Sequence, residues 1–495
     1  MIRKENMIMK KFSSIVLLAA LLLSSCTSAT TGMEESNSNA AETEMPETTP
    51  AETELTDNLP SDLDYNGQTI NFMYFTGSEA RQGLWAEDNG DVVNSAVVQR
   101  NTTVEERLNI RMDFIEHDYE ADAVKNTLLA SDDTFQLMQL SQYRHFPMVV
   151  EGLFYDATNL PYTDYDMPWW EKDIMNEMSP MGDQVYALLG DISYNLINRM
   201  GCMFYNKDLY ANVYGDGDAL YQTVLDGKWT MDALMEASAA LYEDTNGNGT
   251  IDRDDVLGYG TFFGWIGEMI FYCGGARLST RDADGYPTVN PVSELSLSIA
   301  DKMLEIYYQT PGGYLYDYNV DHTNIINNFI AGSVAFYYGV FSYAATFREM
   351  ESDYGIIPYP KCDETVENYT SLITDDLRYV CLPYYIGDDT AEMLGATVEA
   401  MASEGYRTTR PAFYETAMKS KYSRDELSGQ VIDILHDSMF TEFTYLFNSL
   451  MSYAGHIGRE VVGRNQNLIT SWWASNEKKV AQSIEDLIAA TQNQG

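Results

Sequence analysis

The sequence has few cations for its size, and that shortage excludes several classes of partner. Its 495 residues include 30 Lys and Arg against 75 Asp and Glu, which gives a formal net charge of −45. Proteins that bind nucleic acid neutralise phosphates with clustered Lys and Arg, and this chain has no surplus of either. The excess of acids equally disfavours binding to an anionic membrane surface through protein charge. We therefore expect no nucleic acid among its partners.

Histidine and cysteine are also scarce, so the usual catalytic and metal-binding motifs are missing. The chain has 5 histidines, and it contains neither the HExxH motif of zinc peptidases nor the GxSxG motif of serine hydrolases. Its 5 cysteines show no CxxC spacing, which disfavours a zinc site. We expect most of Cys202, Cys273, Cys362 and Cys381 to be buried free thiols, because a body of this size needs no disulfides. Oxidation to disulfides in an exported protein is the alternative.

Long apolar runs are absent apart from one at the amino terminus. Lys and Arg residues precede an apolar run at 15–23, which is too short to span a bilayer and is typical of a secretory signal peptide. The run ends at Leu-Ser-Ser-Cys26, which resembles the lipobox of bacterial lipoproteins. The resemblance implies that residues 1–26 form a lipoprotein signal peptide and that the Cys26 thiol carries diacylglycerol. The alternative is an ordinary signal peptide that contains a cysteine.

The segment that follows the signal peptide lacks the apolar residues a folded core requires. Residues 27–62 are mainly Thr, Glu, Ser, Asn, Ala and Pro, with almost no aliphatic side chains. Such a composition cannot bury enough apolar surface to fold, and its like charges repel one another. We therefore predict a disordered acidic tether between the membrane and a folded body.

The body begins with alternating strand and helix patterns. Strands are predicted at Thr69–Phe75, Ile110–Ile115 and Phe135–Leu140, and helices at Asn94–Leu108 and Ala121–Leu129. A β-α-β-α-β order implies parallel strands joined by helical crossovers. Further strand signals occur at 184–189, 333–338 and 379–382. The predicted fold class is α/β.

Six short segments occur in a characteristic order along the body. They are Gly152–Thr158, Tyr186–Asp191, Phe204–Tyr210, Lys228–Leu234, Phe329–Phe336 and Tyr354–Pro360. With this order behind a lipobox, the chain resembles the extracellular solute-binding proteins of bacterial ABC importers. More narrowly, it resembles the large sugar-binding type (family 1) related to maltose-binding protein.

The resemblance implies a two-lobed periplasmic-binding-protein-like fold of type II, with a hinge between the lobes and the ligand in the cleft. By analogy, residues 63–190 and 318–378 form lobe 1, and residues 191–317 and 379–495 form lobe 2. The implied function is a substrate-binding receptor that captures an oligosaccharide or glycoside and delivers it to the transmembrane subunits of an ABC permease. The implied protein is a monomer, anchored by its lipid on the extracytoplasmic face of the cell membrane.

Candidate ligand-binding residues come from loops that follow the carboxyl ends of predicted strands, where open parallel sheets hold their ligands. Aromatic rings stack on the C–H faces of sugars, and carboxylates accept hydrogen bonds from hydroxyl groups. The candidates are Trp85, Tyr143, Asp191, Tyr194, Trp265, Tyr338, Tyr343 and Asp375. The pair Asp375-Asp376 leaves open a secreted carbohydrate-active enzyme, and a surface adhesin or scaffold lipoprotein is a further alternative.

One loop resembles the calcium loop of EF-hand and dockerin proteins. Oxygen-bearing residues occupy its positions 1, 3, 5, 7, 9 and 12, and a glycine occupies the sharp turn. The predicted metal ligands are Asp244, Asn246, Asn248, Thr250, Asp252 and Asp255. The segment after Asp255 does not read as a helix, so we expect a structural Ca²⁺ ion rather than a complete EF-hand. The alternative is a polar turn without an ion.

Overall fold

The protein was analysed as a computed structural model, which describes residues 55–75, 83–131, 133–182, 184–316, 318–348, 350–419 and 426–492. The predicted signal peptide, the lipidation site Cys26 and the tether up to residue 54 lie outside the described residues.

The strands divide between two main sheets and two small ones. In chain order they are β1 (Gln68–Phe75), β2 (Ile110–His117), β3 (Leu137–Ser141), β4 (Gly201–Asn206), β5 (Leu257–Phe262), β6 (Ser279–Arg281), β7 (Pro287–Val289), β8 (Gly313–Tyr316), β9 (Val334–Val340), β10 (Tyr354–Ile357), β11 (Ser371–Leu372), β12 (Arg378–Cys381) and β13 (Met439–Phe440).

Helices connect and cover these strands. They are α1 (Val92–Leu108), α2 (Ala121–Ala130), α3 (Gln142–His145), α4 (Lys172–Met178), α5 (Asn195–Asn198), α6 (Lys207–Tyr214), α7 (Ala219–Leu225), α8 (Met231–Leu241), α9 (Ile266–Cys273), α10 (Glu294–Tyr308), α11 (Tyr318–Ile330), α12 (Tyr343–Phe347), α13 (Asp388–Arg407), α14 (Thr409–Lys419), α15 (Glu426–Asp437), α16 (Phe443–Leu446), α17 (Ile457–Arg464) and α18 (Ile469–Gln492). Short 3-10 segments lie at Phe146–Glu151, Ala157–Asn159 and Ala454–His456.

The first main sheet contains the predicted β-α-β-α-β unit. Its strand order is β12-β3-β1-β2, with β1 parallel to both β2 and β3. Helix α1 covers it and begins at Asp91, whose side chain accepts hydrogen bonds from the amides of Val93 and Asn94. The helix ends at Asn109, which adopts the left-handed conformation with φ 48°. The three parallel strands and both helices predicted for this region are confirmed.

The second main sheet has the order β10-β4-β9-β5-β8. Strand β5 runs parallel to β8 and β9, whereas β4 runs antiparallel to β9 and β10. Every residue of β4, β5 and β9 is buried, so these strands form the centre of this half of the core. The strand predicted at 333–338 is confirmed as β9.

The strand pairing differs from the expected division of the chain between lobes. Residues 318–378 were expected in lobe 1, but their strands β9 and β10 pair with β4 and β5 in the second sheet. Conversely, β12 closes the first sheet antiparallel to β3, and α13 and α14 pack on α1. The chain therefore returns to the first sheet near residue 378, because β12 finds its hydrogen-bonding partner there.

Two smaller expectations also need correction. The strand predicted at 184–189 is an extended segment, in which Leu188 forms only an isolated bridge with Val380. The end of the tether was placed at residue 62, but Asp57 and Leu59 are already buried in the body. A salt bridge from Arg107 and the apolar contacts of Leu59 hold this segment.

No described helix combines the length and the apolar composition that crossing a bilayer requires. Cys202, Cys273, Cys362 and Cys381 are buried free thiols.

Candidate functional site

The link between β11 and β12 brings distant parts of the chain together. The Gln142 amide, directly after β3, donates to the Leu377 carbonyl at 2.9 Å, and the Tyr143 amide donates to the Asp375 carbonyl at 3.1 Å. On the other side of the link, the Thr374 amide donates to the carbonyl of Arg199, which precedes β4. The carboxyl end of β3 and the chain that enters the second sheet therefore meet at residues 374–377.

Asp375 lies at this meeting point beside groups from the carboxyl-terminal third of the chain. Its backbone amide donates to the Tyr445 hydroxyl at 3.1 Å. Its carboxylate Oδ2 lies 4.0 Å from Nε2 of His456. Burial raises the pKa of Asp375, although the nearby Arg459 opposes the change. Asp375 is thus a mostly buried acid whose side chain faces the carboxyl-terminal third of the chain.

A second acid, Glu268, faces the same histidine. Glu268 lies in the first turn of α9 and is fully buried, and Nε of Arg459 lies 2.8 Å from its Oε1. His456 Nε2 lies 3.9 Å from that oxygen. Burial raises the pKa of Glu268 to about 8, even with Arg459 beside it. Burial, together with Arg459, lowers the pKa of His456 to about 3, so this imidazole is neutral near pH 7.

Asp376 is fixed by two guanidinium groups. Arg199 and Arg378 each place a nitrogen 2.9 Å from one of its two oxygens. Arg378 also donates to the Tyr119 hydroxyl at 3.3 Å and lies over the Tyr119 ring. Because Arg378 belongs to β12 and Arg199 precedes β4, Asp376 bridges the two main sheets.

Partly exposed aromatic residues lie on the same stretches of chain as these charged groups. Tyr143 is 53% exposed and Tyr453 is 57% exposed, while Trp265 is half-buried one helical turn before Glu268. The Tyr453 and His456 rings lie 6.1 Å apart, and Tyr453 has the left-handed conformation with φ 64°. We call the following set the crossover cluster: Tyr143, Trp265, Glu268, Asp375, Asp376, Tyr453, His456 and Arg459.

Three of the eight predicted ligand-binding residues belong to the crossover cluster, namely Tyr143, Trp265 and Asp375. Asp191 and Tyr194 contact α14 instead. The Asp191 carboxylate lies 3.3 Å from Nη1 of Arg410, and the Tyr194 ring stacks on Phe413 at 4.8 Å. Burial raises the pKa of Asp191 to about 7, with Arg410 opposing the shift.

Trp85 lies on a face of the first sheet. Its ring packs against Tyr74 at 5.5 Å and Phe114 at 6.2 Å. The structure therefore gives it neighbours from β1 and β2 rather than from the crossover cluster.

The two tyrosines near β9 that were predicted to bind the ligand lie in different environments. Tyr338 is 1% exposed and packs against Tyr259 and Tyr359, so it is a core residue of the second sheet. Tyr343 packs on Tyr337 and Phe347. Strand position alone does not tell whether a side chain of a strand buried on both faces is open to a ligand, so the sequence could not show that Tyr338 is buried.

Five members of the crossover cluster were not among the candidates from the sequence, namely Glu268, Asp376, Tyr453, His456 and Arg459. Glu268 carried a detectable signal, since it is an acid in the first helical turn after a buried strand. No sequence signal marked Tyr453, His456 and Arg459, because only the packing of α17 against α9 brings them to the crossover cluster.

Side-chain hydrogen bonds run within the predicted calcium loop. Asp244 accepts bonds from the amides of Gly247 and Gly249 at 2.7 and 2.9 Å. The side-chain amides of Asn246 and Asn248 both donate to the Asp252 carboxylate. Three of the six predicted ligands therefore contact one another, with the asparagine nitrogens rather than their oxygens facing Asp252.

Asp255 is arranged differently. It is fully buried, and its two oxygens accept bonds from the Tyr242 hydroxyl and from the amides of Thr245 and Asp252. Among the described residues, no group of three or more His, Cys, Asp and Glu side chains is arranged to hold a metal ion. A Ca²⁺ ion here would depend on the two asparagines and on the Thr250 carbonyl in addition to the acids.

Comparisons with known proteins identify the fold. No protein-family model matches the chain, and no curated protein matches it. Solved structures do match. A cyclo/maltodextrin-binding protein complexed with maltotetraose is 12% identical, covers 86% of this chain and 97% of its own, and gives a TM-score of 0.53. The galacto-N-biose-/lacto-N-biose I-binding protein of an ABC transporter from Bifidobacterium longum, in complex with lacto-N-biose, is 13% identical, covers 87% of this chain and 98% of its own, and gives a TM-score of 0.52.

A third match, UgpB from Mycobacterium tuberculosis in complex with glycerophosphocholine, is 12% identical, covers 86% of this chain and 99% of its own, and gives a TM-score of 0.50. At these identities the likeness establishes the fold. The chain has the two-lobed α/β architecture of type II periplasmic binding proteins, as predicted from its sequence.

Proposed function

We propose that this chain is a lipid-anchored substrate-binding receptor of an ABC transporter, which captures an oligosaccharide or glycoside between its lobes and delivers it to the permease. The observation that carries the proposal is the crossover cluster, where the chain brings carboxylates fixed by arginines to the junction of the two main sheets and partly exposed aromatic residues lie close to them in the sequence. Type II binding proteins close about such a junction when they bind. The matched structures support a binding protein rather than an enzyme.

The chemistry of the cluster favours a neutral sugar. Tyr143, Tyr453 and Trp265 would offer ring faces to C–H groups, and the carboxylates of Asp375 and Asp376, whose side chains are 24% and 39% exposed, would accept bonds from hydroxyls. Its cations are already paired with carboxylates, since Arg459 faces Glu268 and two arginines hold Asp376. An anionic sugar would therefore have to compete with an existing ion pair.

A thermal-shift screen of a sugar library against the purified body tests the proposal. A ligand that binds only the folded state raises the melting temperature. Tyr143→Ala and Trp265→Ala should each weaken binding of the responding sugar by about 10-fold, the value of one stacked ring. Tyr214→Ala removes a comparably exposed tyrosine from α6 and serves as the control. Unchanged affinity in both cluster variants would contradict the placement of the site.

The same samples distinguish a receptor from a carbohydrate-active enzyme. Saturable binding with intact sugar after prolonged incubation supports the receptor, whereas chromatography that detects cleaved glycosidic bonds supports the enzyme. The pair Asp375-Asp376 is the part of the cluster such an enzyme would use.

The lipid anchor and the partners complete the proposal. The lipobox supports a diacylglycerol on Cys26, which holds a monomeric receptor on the extracytoplasmic face of the membrane beside its permease. Cys26→Ala should release the protein into the medium or leave it as uncleaved precursor. A processed variant that still fractionates with membranes as wild type does would contradict the anchor.

We further propose that the loop at 244–255 binds a structural Ca²⁺ ion through Asp244, Asn246, Asn248, Thr250, Asp252 and Asp255. The regular spacing of these oxygen-bearing residues supports it, and Asn246 and Asn248 lie in contact with the Asp252 carboxylate. Asp255 would have to give up one of its present hydrogen bonds to coordinate the ion.

A further inference from the structure

A buried lysine lies outside the crossover cluster, beside the start of α8. Lys361 is 2% exposed, so its side chain ends inside the protein. Its backbone is fixed on both sides, since its amide donates to the Trp229 carbonyl at 3.2 Å and its carbonyl accepts from the Met231 amide at 2.8 Å. Lys361 therefore has a defined position against the segment that enters α8.

The ammonium group of Lys361 has fewer partners than a buried cation requires. Its Nζ donates to the Glu367 carbonyl at 3.4 Å and lies 5.1 Å from the centre of the Tyr369 ring. Among the described residues, no carboxylate forms an ion pair with it, although an ammonium group carries three N–H donors. Buried charges in proteins are normally paired, because an unpaired charge costs stability. The Lys361 ammonium therefore retains donors for an anionic group from outside the chain.

The residues around this ammonium also line a cavity of about 400 Å³, a volume within the range of small-molecule sites. Glu367, Tyr369 and Gly227 all belong to its wall. A Cβ atom on Gly227 would lie 3.5 Å from Nζ of Lys361, and the φ of 71° there is a conformation that glycine adopts freely. The absence of a side chain at Gly227 thus leaves space between the ammonium and the cavity.

The other walls of the cavity combine apolar side chains with acids. Val224 and Leu225 of α7 and Ile434 of α15 supply apolar surface, while Glu367 and Asp437 carry carboxylates. These acids, and a formal net charge of −45, repel phosphate and other polyanions. A molecule with one carboxylate, one ammonium group and an apolar part matches all three kinds of wall.

We propose that this cavity is a second ligand site, which binds a free α-amino acid with an apolar side chain. The carboxylate of the ligand pairs with Nζ of Lys361, and its ammonium group pairs with the acids Glu367 and Asp437. Its side chain contacts the apolar residues of α7 and α15. The site does not depend on the proposed sugar receptor, because the cavity shares no residue with the crossover cluster.

Calorimetric titration of the purified protein with alanine, valine, leucine, methionine and phenylalanine tests the site and identifies the tightest ligand. That amino acid is then compared with two analogues and with inorganic phosphate. The analogue without the carboxylate should bind about 30-fold more weakly, because it loses the charge-assisted bond to Lys361. The analogue without the amino group should bind about 5-fold more weakly, because the acids it leaves unpaired are exposed. Phosphate should not compete.

Lys361→Met keeps the length of the side chain and removes its charge. It should weaken binding of the amino acid by about 30-fold. Without ligand, its melting temperature should equal or exceed that of wild type, because a buried charge without a carboxylate partner has been removed. Asp437→Asn should weaken binding of the amino acid by about 5-fold and leave the analogue without an amino group unaffected.

Lys207→Met is the matched control. Lys207 also lies over a tyrosine ring, 4.7 Å from the centre of Tyr221, but it forms an ion pair with Asp218. Its replacement should leave binding of the amino acid unchanged.

The site is overturned if no amino acid binds at millimolar concentration, or if Lys361→Met binds as wild type does. Phosphate that binds as tightly as the amino acid would overturn the choice of a zwitterion. A Lys361→Met variant that melts below wild type without ligand would make Lys361 a structural residue and contradict the site. Sugar binding should be the same in Lys361→Met and wild type, so a failure here leaves the receptor intact.

Discussion

At the scale of single residues, some of the buried carboxylates among the described residues are held by a specific set of donors. Glu399 is an example, because the indole groups of Trp169 and Trp170 donate to its two oxygens at 3.0 and 2.9 Å. Burial raises the pKa of Glu399 to about 7 even so. The two tryptophans are themselves buried and pack in the core.

Asp57 is another buried carboxylate, and it connects the start of the folded body to the rest of the chain. Arg107 donates to both of its oxygens at 2.6 and 2.8 Å, and the Ser403 hydroxyl donates at 2.5 Å. Burial alone would raise the pKa of Asp57, but these hydrogen bonds lower it overall. Its contribution to stability is therefore present near pH 7 and is lost as the pH falls through its lowered pKa.

We predict that Asp57→Asn lowers the free energy of unfolding by about 2 kcal/mol at pH 7, the value of hydrogen bonds to a charged group. Denaturant unfolding of the two proteins measures the difference. Asp62→Asn, at an exposed position five residues later, is the matched control and should change stability little. The gap between wild type and Asp57→Asn should narrow below about pH 4, where the carboxylate becomes protonated. A variant as stable as wild type at pH 7 would contradict the role of Asp57.

At the scale of elements, the loop between α8 and β5 matters because β5 leads directly to Trp265. The loop is closed at its base by an antiparallel bridge between Glu243 and Val256. Three of the predicted ligands, Asp244, Asp252 and Asp255, are carboxylates of this short segment, so a loop without an ion holds several like charges in a few residues.

We predict that millimolar Ca²⁺ raises the melting temperature of the wild-type body, because the ion relieves this repulsion in the folded state only. Asp244→Ala should abolish the shift, whereas Asp284→Ala, in the exposed β6–β7 turn, should retain it. If calorimetry detects no binding of calcium at millimolar concentration, the loop is a polar turn without an ion. Sugar affinity should not depend on calcium, and a dependence would place the loop in the binding cleft.

At the scale of the whole molecule, several buried acids bind protons that the unfolded chain releases. Burial raises the pKa of Glu268 to about 8 and that of Glu442 to about 7. Such groups stabilise the folded state at low pH, and this stability is lost as the pH rises through the folded pKa. Burial lowers the pKa values of His145 and His456 to about 4 and about 3. These two groups therefore make the folded state less stable as the pH falls below about 6.5.

Between about pH 6.5 and pH 8.5 the histidines no longer contribute to the pH dependence of stability, and only the buried acids do. The melting temperature should therefore fall as the pH rises. Glu268→Gln should flatten this decline, because it removes the acid with the highest of these pKa values. Glu460→Gln, on the exposed side of α17, should decline as wild type does. Differential scanning calorimetry across this range makes the comparison, and equal slopes for wild type and Glu268→Gln would contradict the assignment.

The sequence by itself determined the features that depend on neighbouring residues. Alternation and helical spacing located β1, α1, β2, α2 and β3, since burial follows the period of the backbone. The loop at 244–255 was recognisable because its oxygens and glycines recur at fixed offsets. The order of six short segments indicated the two-lobed fold, which the strand order supports.

Only the tertiary structure decided which segments belong to which sheet and which side chains meet. Strand β12 joins the first sheet through hydrogen bonds to β3, more than two hundred residues earlier, and no local pattern encodes that partner. Glu268 faces Arg459 because α9 packs on α17, and Tyr338 is a core residue because buried strands pack on both faces. Long-range pairing depends on the packing of the whole chain, so the crossover cluster became visible only when its elements were brought together.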